Sequence, residues 1–158
     1  MIPPMDPPRT ADGDGISFTE HGDVAVLVWT GDARLERARW ATTQLERVMR
    51  ERSGPIIAIQ LVRSTSKPPD GPARAEAGHQ LELLGPRLRR LITLPLGDAF
   101  WMSVVRTVLR AMTLLSRHSA VATVVSNIDE AVAEVDKVRS SMTPTNAELR
   151  ALLTRLSA

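Results

Sequence analysis

Three histidines, His21, His79 and His118, are the side chains best suited to proton or metal chemistry near neutral pH. No two of them share a metal-ligand spacing such as HxxxH. The chain has no cysteine, which excludes disulfides, thiolate nucleophiles and cysteine-ligated zinc or iron–sulfur sites. A hydrolase serine needs a GxSxG elbow, a phosphate-cradling loop needs GxxxxGK followed by Ser or Thr, and a dinucleotide loop needs GxGxxG. None of the three occurs. The carboxylates mostly stand one helical turn from arginines, as Glu46 does from Arg50. His118 reads as a cation at the carboxyl end of a helix, and His79 as a surface or satisfied core residue. The expected chemistry is therefore recognition, without catalysis, cofactor or metal.

Composition bounds the rest. At 158 residues, 43% hydrophobic and 24% charged, one domain with a single buried core is expected. The sequence pI of about 9.9 overstates its basicity: net charge is only +2, and there is neither Cys nor Tyr. Cations alternate with carboxylates instead of clustering, which argues against nucleic acid as a partner. No apolar run reaches the roughly 18 residues of a membrane span, and the first residues carry no secretory h-region. A cytoplasmic protein without integral membrane association is expected.

The elements that must position any site follow from punctuation and period. Residues 1–14, with Pro3, Pro4, Pro7 and Pro8, read as a disordered leader. Ile16–Thr19 alternates like a strand, and Gly22 supplies positive φ to the turn before the apolar run Val24–Trp29. Asp32 is placed to cap a helix over about 33–51, whose inner stripe is Leu35, Ala38, Leu45, Val48 and Met49. Trp40 falls roughly 150° from that stripe. There it either lies flat over its long charged neighbours or anchors a partner. A second buried strand, Ile56–Val62, leads into the polar loop Arg63–Gly71 and a helix from Pro72 to Leu84. Arg87, Arg89 and Arg90 then precede the strand Leu91–Leu96, which Pro95 ends or places near an edge.

The most informative helix spans Gly97 to Ser119, with Asp98 as its cap. Val104, Val108 and Ala111 fall together with Trp101 and Val105 beside them. Adding Phe100, Met102 and Leu109 widens the apolar arc to roughly 200°, about twice a core-facing stripe. Arg106 and Arg110 occupy the opposite side. A strand over Val121–Val125 follows. Asn127 and Glu130 then open a helix in capping-box form, and Thr145 and Glu148 open a last one. That last helix carries a stripe of Leu149, Leu152, Leu153 and Leu156, which must cover the domain or bind another chain.

Strands alternating with helices predict an α/β domain with a mostly parallel sheet of about five strands at residues 15–140. Residues 141–158 then supply a linker and an amphipathic helix. The order, and the stretch LITLPLGDAFWMSVVRTVLRAMTLL followed by AVATVVSNIDEAVAEV, resembles the STAS superfamily, which includes the bacterial anti-sigma factor antagonists. The resemblance covers about Ile16 to Arg139. It implies a single STAS-like domain acting as a regulatory protein-interaction module. Antagonists of that family carry a phosphorylatable Ser or Thr after the third strand, behind an Asp and ahead of a Gly. Ser64 and Thr65 stand near that place here, but the Asp is missing and no glycine comes before Gly71. The resemblance is thus to a branch without the phospho-acceptor motif.

Two functions are expected from these readings. The first is binding of a protein partner, or of a second copy as a homodimer, through Trp40, Ser64, Thr65, Phe100, Met102, Arg106, Leu109 and Arg110. The alternative is a small apolar-ligand or lipid-binding domain in which the same helix walls a pocket and Arg106 or Arg110 reads an anionic head group.

Overall fold

A computed structural model describes residues 7–113, 121–139, 141 and 143–158. His118, one of the residues considered above, lies outside them. The described strands form one sheet, in spatial order β1 (Arg9–Asp12), β2 (Ile16–His21), β3 (Val24–Trp29), β4 (Ile56–Arg63), β5 (Leu88–Leu96) and β6 (Ala122–Val124). The pairs β1–β2 and β2–β3 are antiparallel, and β3 through β6 are parallel. The chain is α/β, with a mixed sheet one strand larger than expected.

Over Arg9–Asp12 the extra strand departs from the expected disordered leader, whose first six residues lie outside the described ones. Arg9–Asp12 pairs with Ser17–Glu20 across a turn in which Gly15 takes φ 72°. Composition argues against order here, and a contact far along the chain overrides it. Arg9 bonds Glu20 at 2.5 Å and Glu51 at 2.6 Å, tying the arm to both β2 and the first helix.

Helices α1 (Leu35–Glu51), α2 (Gly71–Leu84) and α3 (Ala99–Thr113) join successive parallel strands, each connection stepping one strand in the same direction. Right-handed crossovers of this kind lie on one face of the sheet. Helices α4 (Ile128–Val138) and α5 (Asn146–Ser157) close the other face. Covered on both sides, β3 carries an unbroken apolar run and β4 one interrupted only by Gln60.

Alternation along the strands divides their side chains between two cores. Val24, Val26, Val28, Ile57, Ile59, Leu61, Ile92 and Leu94 pack under α4 and α5 with Val132, Val135, Leu149, Leu152 and Leu153. The leucine stripe of the last helix therefore covers its own domain. On the opposite face, Phe18, Ala25, Leu27 and Ala58 pack under α1 with Ala38, Ala41, Leu45 and Val48.

Three of the four expected caps hold: Asp98 accepts from Trp101 N at 2.9 Å, Asn127 from Glu130 N at 2.8 Å, and Thr145 forms a complete capping box with Glu148. Helix α2 adds a cap the sequence reading did not name, Asp70 accepting from Ala73 N at 2.9 Å. Asp32 does not cap α1, whose N-cap is Arg34. Its Oδ1 instead accepts from Lys67 N at 3.2 Å and holds the β4–α2 loop. Arg87 donates to the carbonyls of Met49 and Gly54, and so serves the end of α1. Pro95 pairs with Val62, and β6 reaches only Leu91–Thr93, so among the described residues no strand lies beside the proline on that side.

Candidate functional site

Filling of the sheet face beneath the three crossover helices is unequal. Under α1 a cluster of buried side chains fills it. Under α2 and α3 lies a cavity of about 670 Å³, floored by β3, β4 and β5. Its cause is side-chain size. The floor offers Ala58, Gln60 and Thr93, and the inner face of α2 offers Ala73 and Ala77 before Leu81 and Leu84. Small residues at facing positions leave a gap that neither helix can close without leaving its own supports.

Those supports are specific. Helix α2 is hung on α1: Thr42 Oγ1 donates to Glu76 at 2.8 Å, and Gln80 Nε2 donates to Ala38 O at 2.8 Å. Helix α3 is fixed at its start. Asp98 Oδ1 accepts from Trp101 N at 2.9 Å, Trp101 Nε1 donates to Val62 O at 3.1 Å, and Arg106 Nη2 reaches Ser126 Oγ at 3.0 Å. Val105 is buried at 7% exposure, whereas Trp101, Val104, Val108 and Leu109 line the void half-buried. Asp98→Ala should cost about 1 kcal/mol. It should also speed amide exchange in the first turn of α3 more than in α4, measured by hydrogen–deuterium exchange.

The wide apolar arc thus divides in two. Its centre and Leu109 face the cavity. Phe100 is 77% exposed, and Met102 lies half-buried beside Arg106 and Arg110 around a shallow hollow on the outer side of the same helix. Arg106 and Arg110 do not line the cavity, which corrects their expected role as readers of a head group within it. The cations that do border it are Lys67 and Arg74, in the β4–α2 loop and the first turn of α2.

Trp40 is half-buried, with its indole lying over the turn between β1 and β2. A side-chain carbon on Gly13 would come within 2.9 Å of the ring. The N-terminal arm, absent from the sequence expectation, packs against one side of this ring. Ser64 and Thr65 are both exposed, and Thr65 Oγ1 donates to Thr30 O at 2.8 Å.

Sequence reasoning passed over Gln60 and Thr93, and a signal was present. Each is a polar residue inside an otherwise apolar strand, IIAIQLV and LITLPL, where a fully covered strand has no evident use for one. Among the described residues no group of three His, Asp or Glu side chains is arranged to hold a metal ion, and no helix is long and apolar enough to cross a membrane.

No protein-family model, curated protein or solved structure matches the chain.

Proposed function

We propose that this chain is a non-enzymatic binding domain of STAS-like architecture that takes an apolar small molecule between its sheet and helices α2 and α3. The observation that carries this reading is the cavity itself. Its volume of about 670 Å³ falls in the range of small-molecule sites, and its lining is mostly aliphatic, with a few polar groups. A void of this size forfeits dispersion contacts on every wall. An apolar occupant would recover them.

A protein-interaction reading has its own support in Phe100, the one large hydrophobic residue found exposed among the described residues. Met102 extends that patch along the outside of α3.

Native mass spectrometry of protein purified from its own host separates the two. Ligand binding predicts a small-molecule adduct that is lost on organic extraction. An adduct-free dimer or heteromer, dissociated by Phe100→Glu, would replace it with the interaction reading.

A further inference from the structure

We propose that Gln60 and Thr93 form the polar end of the cavity and select a neutral, otherwise apolar molecule bearing a carbonyl oxygen: a ketone, ester or amide. This rests on the ligand-binding reading above and specifies its ligand. Gln60 on β4 and Thr93 on β5 are register partners, so their side chains stand next to each other on one face of the sheet. Trp29 Nε1 lies 3.0 Å from the Gln60 amide. An indole N–H can only donate, so the atom it meets must be the carbonyl oxygen Oε1. That bond turns the Gln60 NH2 away from Trp29, and no protein acceptor takes it among the described residues. Thr93 is 2% exposed, and its hydroxyl likewise has no protein partner there. The cavity floor therefore presents donors side by side in an apolar surround, and an acceptor on the ligand would satisfy them.

Charge decides which acceptor. No cationic side chain stands on the floor, and Lys67 and Arg74 are exposed at the loop and helix start. A carboxylate or phosphate seated at Gln60 would lose its hydration without gaining a countercharge, which is strongly unfavourable. A neutral carbonyl oxygen carries lone pairs for both donors and brings no charge to desolvate.

The test titrates the full chain with a neutral naphthyl-ketone fluorophore, its carbonyl-free hydrocarbon counterpart and an anionic naphthalene sulfonate. The ketone should bind tightest. Thr93→Val should weaken it about five- to tenfold and leave the hydrocarbon unchanged. Gln60→Leu, made together with Trp29→Phe so that no indole N–H is orphaned, should do the same. Equal affinity of ketone and hydrocarbon in all proteins would overturn the polar-end assignment while leaving the cavity reading intact. Tightest binding of the sulfonate, lost in Lys67→Ala or Arg74→Ala, would overturn it in favour of an anion held at the rim. Binding of none of the probes would overturn both readings.

Discussion

Ala77→Phe combined with Val108→Phe is expected to abolish binding of apolar probes while raising the melting temperature. Ala77 sits on the inner face of α2, one turn after the buried Ala73, and Val108 lines the same cavity from α3. In a packed core two added rings would force rotamers and backbone apart. Over a void they bury surface instead. If each ring covers roughly 80 Å² of apolar area, burial is worth about 2 kcal/mol per site, less a few tenths for helix propensity. For a chain of this size that corresponds to about 5 °C or more for the pair. Probe affinity should fall at least about a hundredfold, because the rings occupy the ligand's volume. Differential scanning fluorimetry and fluorescence titration read the two effects. A lower melting temperature would show that the rings meet packed side chains, and unchanged probe binding would show that the probe sits elsewhere; either contradicts the cavity reading.

The second large effect lies at the other end of that sheet face. Glu20 is 3% exposed and meets Arg9 at 2.5 Å, Arg47 at 2.9 Å and Arg52 at 3.4 Å. Arg47 also lies 5.8 Å from the centre of the Phe18 ring. Burial works against the Glu20 charge, but hydrogen bonds and charge from Arg47 and Arg9 outweigh it and hold the carboxyl below its ordinary value. Glu20→Gln should cost about 2 kcal/mol at neutral pH. That is less than a fully buried pair because its arginine partners are partly hydrated. The sign of the pH dependence follows from the depressed folded value. The stabilisation is complete above the ordinary glutamate value of 4.5 and is lost as pH falls through the lower folded one. Urea unfolding should therefore show the wild-type advantage at pH 7 shrinking toward acid. An advantage that grows toward acid would contradict the assigned role of Glu20.

These two sites differ in how far the sequence discloses them. Strand β3 is readable because burial on both faces writes itself as an uninterrupted apolar run, and β4 because its run is broken only by Gln60. The starts of α3, α4 and α5 are readable because a cap is a local bond between near neighbours. Strand β1 is not, since its order depends on Glu20 and Glu51, which lie eleven and forty-two residues away from Arg9. The closeness of the Trp40 ring to Gly13 is not legible for the same reason, because the order of the arm could not be anticipated. The width of the apolar arc on α3 is correctly visible. What lies under it is not, because a helix face shows the same period against a packed sheet or an empty one. Volume is a property of facing residues from different elements. Only Ala58, Ala73 and Ala77 together, with Gln60 and Thr93 breaking apolar strands, disclose it. The hydroxyls of Ser64 and Thr65 are legible as loop residues, and their exposure bears that out.

The gap between the sheet and helices α2 and α3 can be observed directly by solving crystals of the full chain under xenon pressure, since apolar voids of this kind take up xenon. Xenon density bounded by Leu81, Val105 and Thr93, or a bound apolar molecule in its place, is the predicted result. Val104 and Val108 packed against β4 and β5, with no xenon and no ligand between them, would contradict it.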